Sequence, residues 1–198
     1  MRTPAEMWAL GQPLTSYRTF LVVGDSKSIA TNAWLYKLSG VVEGAQTYRF
    51  FPRPTPMAVT GQTVAYWAAN IGASIAASDG TPDYVLINLG ANDVVSLPAE
   101  ATWKANYLTV ADAIAAKWPG VPVYLVKVWK RGEAADCDTL AGWIDDLVAQ
   151  RSFLHVGHDE RGWLEGGDDG ATMTTDGIHY SAAGQTECAA QWKTVLGL

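Results

Sequence analysis

Cysteine and histidine are scarce in this chain, and each shortage narrows what it can be. Of 198 residues, two are cysteine, Cys137 and Cys188, and three are histidine. Two cysteines so far apart form no Cys-x-x-Cys pair, so the spacing of a metal-binding or redox motif is missing; they read as free buried thiols or as one disulfide, and leave the compartment open. Basic charge is also short. Fourteen lysines and arginines face twenty aspartates and glutamates, for a net charge of −6. Without a basic stripe to displace counterions from a phosphate backbone, a nucleic-acid partner is not expected. Apolar runs stay well under the roughly 18 residues that span a bilayer. The first nineteen residues scatter Arg2, Glu6, Gln12 and Arg18 among apolar ones and lack the continuous core of a signal peptide. The expectation is a soluble protein, cytoplasmic or secreted, with no membrane partner; the oligomeric state is left open.

What is present is enough apolar material, 48% of the chain, for one sizeable core, and nothing in the composition marks a linker. One domain over residues 1–198 is expected. Nine tryptophans and eight tyrosines belong mostly to that core, with a few in loops able to stack on sugars. Thr19 to Val23 reads as a buried strand, followed by a helix over about Ser28 to Leu38. Thr47 to Phe51 is a second strand, and Pro52 to Pro56 an extended loop, since three prolines exclude a helix or central strand. Val64, Trp67, Ala68, Ile71 and Ile75 recur at helical spacing, and Asp83 to Leu89 is a near-continuous apolar strand of the kind buried on both faces. A helix entered near Pro98 and stopped by Pro119 and Gly120, a strand over Val121 to Trp129, a helix capped by Asp138, and a short strand Phe153 to Val156 follow. Gly157 to Ile178, with six glycines and many acids, reads as a long loop before a helix capped by Ser181. Strand and helix alternate throughout, the pattern of an open, mostly parallel sheet covered by helices on both faces.

In such a sheet the loops leaving the carboxyl ends of the strands share one edge, where ligands bind. Those loops hold Ser26, Gly61, Asn92, Asp176 and His179, which are therefore candidate neighbours. A serine hydroxyl is a poor nucleophile until a base takes its proton, and an imidazole is suited to that work near neutral pH. Asp176, three residues before His179, can hold the second ring nitrogen. The backbone N–H groups of Ser26 and Gly61 and the Asn92 amide are three candidate donors to an oxyanion. Trp129 and Lys130, after the fourth strand, are candidates to line a substrate pocket. His155 and His158 read as structural or solvent-facing, Asp93 as structural, and Asp168 and Asp169 as a solvated acidic pair rather than calcium ligands. The segment Gly24 to Ser28 lacks the second glycine of a G-x-S-x-G elbow, and neither a Walker A nor a G-x-G-x-x-G sequence occurs.

Gly24-Asp25-Ser26, Gly61 ahead of a helix, Gly90-Ala91-Asn92-Asp93, and Asp176-Gly177-Ile178-His179 followed by Tyr180-Ser181-Ala182-Ala183-Gly184 resemble, in order, the four conserved blocks of the SGNH (GDSL) hydrolase family. The resemblance covers about the whole chain. It implies an α/β fold of three αβα layers, flavodoxin-like, with a mostly parallel five-stranded sheet; acyl-ester hydrolysis without cofactor or metal; Ser26, Asp176 and His179 as triad; and Ser26, Gly61 and Asn92 as oxyanion hole. Lys27 departs from the pattern, standing where the family usually has leucine, and is expected to set a positive charge near the site.

The reading from sequence is a serine esterase for short acyl esters, acetyl esters on carbohydrates among them, acting through an acyl-enzyme on Ser26. Two rivals belong to other classes. One is a non-catalytic carbohydrate-binding module on the same fold, and the other a metal-dependent phosphoesterase using Asp25, Asp176 and His179.

Overall fold

The computed structural model describes residues 17–29, 33–39, 42–43, 46–51, 57–78, 80–165 and 172–198. The proline run 52–56 and the acidic pair Asp168 and Asp169 lie outside the described residues. The strands are β1 (Tyr17–Gly24), β2 (Val42–Glu43), β3 (Gln46–Phe51), β4 (Met57–Ala58), β5 (Tyr84–Asn88), β6 (Val123–Lys127) and β7 (Leu154–Asp159). The helices are α1 (Ala33–Ser39), α2 (Val64–Ala76), α3 (Glu100–Lys117), α4 (Ala134–Gln150) and α5 (Ala182–Leu196).

Five strands run parallel in the order β3-β1-β5-β6-β7, with β1 at the centre of the switch in direction. The short β2 is antiparallel to β3. β3 and β4 flank the same side of β1 in succession: β3 pairs Tyr17 to Leu21, and β4 takes over at Val23 and Gly24. A parallel strand covered on both faces cannot alternate polar and apolar residues, and Phe20 to Val23 and Val85 to Ile87 are wholly inaccessible. Helices α1 and α5 pack together, and α2, α3 and α4 pack in series, giving the sheet a layer of helix on each face. Tryptophans join the helices within each layer. Trp34 of α1 stacks on Trp192 of α5 with ring centres 6.4 Å apart, and Trp103 of α3 meets Trp143 of α4 at 5.5 Å. Deleting such a buried ring costs about 3–5 kcal/mol.

Three boundaries differ from expectation. A single 3₁₀ turn, Ser26–Ser28, follows β1, and α1 begins only at Ala33. Helix α4 starts four residues before Asp138, without a side-chain cap at Glu133, and Asp138 instead pairs with Arg161 at 2.5 Å. Strand β7 runs on to Asp159, and a π-helical turn Arg161–Glu165 follows, so the stretch expected as one long loop is partly regular. Cys137 and Cys188 are both buried and free. Among the described residues no helix is long and apolar enough to cross a membrane.

Candidate active site

Parallel pairing brings the carboxyl ends of β1, β5, β6 and β7 to one edge, and the residues just beyond them form the site. β1 ends at Gly24, where close packing leaves no space for a side chain: a Cβ there would lie 2.6 Å from that of Ser28. Asp25 caps the next turn, its Oδ1 accepting from Lys27 N at 2.9 Å, and this points half-buried Ser26 outward at the turn's start.

The segment 173–181 folds back on itself. Thr174 bridges Tyr180, Thr175 N donates to the His179 carbonyl at 2.8 Å, and Ser181 N donates to the Met173 carbonyl at 2.8 Å. Within it, Asp176 Oδ1 accepts from the backbone N–H groups of Ile178 (2.9 Å) and His179 (2.8 Å), an Asx turn that local sequence alone can build. Gly177 takes φ +89°, and its carbonyl accepts from Arg131 N at 2.9 Å, tying this segment to the loop after β6.

These two local structures meet. His179 Nε2 lies 2.8 Å from Ser26 Oγ, and His179 Nδ1 lies 2.6 Å from Asp176 Oδ2. Burial acts to raise the Asp176 carboxyl, but the His179 ring and the two backbone N–H groups outweigh it and hold it down at about 2. Asp176 therefore stays ionised and keeps a proton on Nδ1, leaving Nε2 to accept from the serine hydroxyl.

Asn92 stands at the same edge. Its Nδ2 donates to Asp25 Oδ2 at 3.1 Å and to the Gln62 carbonyl at 3.0 Å, so its orientation is set from two sides. Gly61, with φ +75°, occupies the exposed turn between β4 and α2, and that turn is anchored to the end of β1 by Val59 N donating to the Gly24 carbonyl at 3.2 Å. Asp25 is fully buried, and burial, against the nearby Lys27 charge and N–H, pushes its carboxyl up to about 6.

Two expectations need correction. Trp129 is only 2% exposed: its side chain belongs to the core and cannot line a substrate pocket, while its backbone holds polar partners beneath the site. Lys27 does not add charge at the rim. Its ammonium is wholly buried and pairs with Glu160 at 2.6 Å. Lys130 remains near the edge, its Nζ 3.7 Å from Glu133. His155 is exposed and packs against Tyr124, whereas His158 is buried in the core, and burial lowers its pKa to about 4. The sequence reading missed Glu160, because a lone acid in a glycine-rich stretch carries no signal of its partners.

Among the described residues no three histidine, cysteine or acidic side chains gather as metal ligands. Asp25 and Asp176 face different partners, Asn92 and His179 respectively.

A three-layer parallel α/β sheet with serine, imidazole and carboxylate in hydrogen-bonded series at its carboxyl edge has the form of an acyl hydrolase. The chain belongs to the GDSL-like lipase/acylhydrolase family, whose model matches residues 23–186, and it is by family a carboxylic ester hydrolase. The solved structure of TesA superposes with a TM-score of 0.72 at 25% identity, covering 90% of this chain and 98% of TesA. A family 3 carbohydrate esterase from Clostridium thermocellum gives 0.70 at 20% identity over 91% of this chain and 95% of its own. An acetyl esterase with a bound acetate ion gives 0.69 at 19% identity over 90% and 96%. Among curated proteins none matches the chain in sequence.

Proposed function

We propose that the protein is a serine esterase that removes short acyl groups, acetyl above all, from alcohols that include carbohydrates. The observation that carries this is the unbroken series from Ser26 Oγ through the imidazole to Asp176, with contacts of 2.8 and 2.6 Å. In the first half-reaction Ser26 Oγ attacks the ester carbonyl while His179 Nε2 takes the hydroxyl proton. The imidazolium, steadied by Asp176, then returns that proton to the departing alcohol, leaving an acyl-serine. Water activated by His179 releases the acid in the second half. The negative charge on the tetrahedral intermediate is met by the N–H groups of Ser26 and Gly61 and by the Asn92 amide, which gives up the Gln62 carbonyl to do so. One such donor is worth about 3 kcal/mol in the transition state.

The acyl and alcohol preference draws support from the structural neighbours, which include family 3 carbohydrate esterases and an acetyl esterase holding acetate. The reading is tested by treating the protein with a fluorophosphonate, mapping the adduct by mass spectrometry, and comparing acetyl with octanoyl p-nitrophenyl esters and acetylated xylan. A single adduct on Ser26 and faster acetyl turnover are expected. Labelling elsewhere or nowhere, or undiminished turnover by Ser26→Ala, refutes it. Sugar binding without turnover would favour a binding module, and loss of activity with a chelator a metal-dependent phosphoesterase.

A further inference from the structure

Beneath the site lies a carboxylate that the four sequence blocks do not include. Glu160 directly follows β7 and its side chain is wholly inaccessible. Its Oε2 accepts from Lys27 Nζ at 2.6 Å and from Trp129 N at 2.8 Å, and its Oε1 accepts from the Tyr180 hydroxyl. Lys27 is the residue after Ser26, and Tyr180 the residue after His179. One rigid carboxylate thus holds the chain neighbours of both groups whose 2.8 Å contact the chemistry needs.

Lys27 is pinned at each of its polar atoms. Its N–H goes to Asp25 Oδ1 at 2.9 Å, its carbonyl accepts from Trp34 Nε1 at 2.8 Å, and its ammonium binds Glu160 and the Trp129 carbonyl, the latter at 2.9 Å. The ammonium also stands 5.4 Å from the centre of the Tyr180 ring, so the two arms of the clamp touch each other. Tyr180 is fixed at its far end as well, where Asn88 Nδ2, at the end of β5, donates to its hydroxyl at 3.4 Å.

We propose that Glu160 is a positioning residue, clamping Lys27 and Tyr180 so that Ser26 Oγ and His179 Nε2 stay in contact. This rests on the reading of Ser26 and His179 as nucleophile and base. Stability alone is a poor account of the arrangement, because a buried ion pair is commonly no better than apolar side chains of the same volume. Direction is what it adds. Catalytic groups must be held to about 0.5 Å, and a displacement of about 1 Å can cost on the order of 100-fold in rate.

The test compares Tyr180→Phe, Glu160→Gln and the double variant Lys27→Met/Glu160→Gln with the wild type. Each is measured for kcat and KM on p-nitrophenyl acetate, rate of fluorophosphonate labelling at Ser26, and melting temperature. Tyr180→Phe keeps the ion pair and removes the hydroxyl that donates to Glu160 and accepts from Asn88, and with it the tether beside His179; kcat and labelling rate are expected to fall together by about tenfold or more, with KM within about twofold. Glu160→Gln strands the Lys27 charge and lowers both melting temperature and kcat. In the double variant neither member of the Lys27–Glu160 pair is left without its counter-charge, so the melting temperature rises above that of Glu160→Gln while kcat stays down by about tenfold or more. Recovery of kcat along with melting temperature, or wild-type turnover by Tyr180→Phe, overturns the clamp alone. A wild type that is neither labelled at Ser26 nor active on esters overturns the esterase reading and the clamp with it.

Discussion

Replacing Asp93 by asparagine separates the part this residue plays in the fold from the chemistry next to it. Asp93 is 5% exposed, and its Oδ2 accepts from the N–H of Val64, the first residue of α2, at 3.3 Å. Burial dominates its titration: against the Val64 N–H and the Trp103 indole, it pushes the carboxyl up to about 6 from an ordinary 3.8. A folded-state value above the unfolded one means that the folded protein binds the proton more tightly. The stability linked to that proton is fully present below about 3.8 and is lost as pH rises through about 6. A displacement of about two units corresponds to about 3 kcal/mol, so the wild type carries that much strain at neutral pH from this one group. Asparagine fits the same space, still accepts from Val64 N, and cannot ionise. Urea unfolding of both proteins at several pH values isolates the effect, because Asp25 and His158 titrate in both and cancel in the difference. The variant is expected to gain about 3 kcal/mol on the wild type between about pH 4 and pH 7. A stability difference that does not change with pH refutes the reasoning.

Asp176→Asn is expected to lower kcat by about 10³ to 10⁴ with the fold intact, since an amide no longer fixes the proton on Nδ1; near-normal turnover on p-nitrophenyl acetate contradicts the series. Asn92→Ala removes one candidate oxyanion donor and is expected to cost about 3 kcal/mol, read as a fall in kcat with little change in KM; a change in KM alone places Asn92 in substrate binding instead. Gly184→Ala is expected to destabilise by about 3 kcal/mol in urea unfolding, because its Cβ would stand 2.0 Å from the Met173 carbonyl oxygen; an unchanged midpoint shows that α5 shifts freely.

Much of this architecture is written in the sequence where burial leaves one option. A strand enclosed on both faces must be apolar at consecutive positions, which makes Phe20 to Val23 and Val85 to Ile87 legible, and the glycines that close those runs mark the edge where Ser26 and Asn92 lie. Asp176 and His179 are legible together because an Asx turn is local chemistry, three residues wide. Boundaries set by distant partners are not. Helix α4 begins at Ala134 without a side-chain cap, so the better capping residue Asp138 misleads about its start. Trp129 reads as a rim residue because it follows a strand, yet a core under the edge has room for an indole, and 2% exposure follows from that depth.

Lys27 is where local and distant information conflict most. Beside the proposed nucleophile Ser26, in a position where the resemblance noted above would usually have leucine, a lysine read from sequence promises charge at the mouth of the site. An ammonium taken out of water costs several kcal/mol unless a counter-charge and further acceptors meet it, and only a residue remote in sequence can supply them. Glu160, 133 positions away, supplies the charge, and Trp129, 102 positions away, supplies a carbonyl. Once that carboxylate is committed to Lys27 and to Trp129 N, its second oxygen is left to accept from Tyr180, and the residue that follows β7 becomes bound to the chain neighbours of both Ser26 and His179. A substitution after Ser26 that looks like a change of surface charge is thereby a change in what supports the nucleophile, and Glu160 and Lys27 are open to replacement together rather than one at a time.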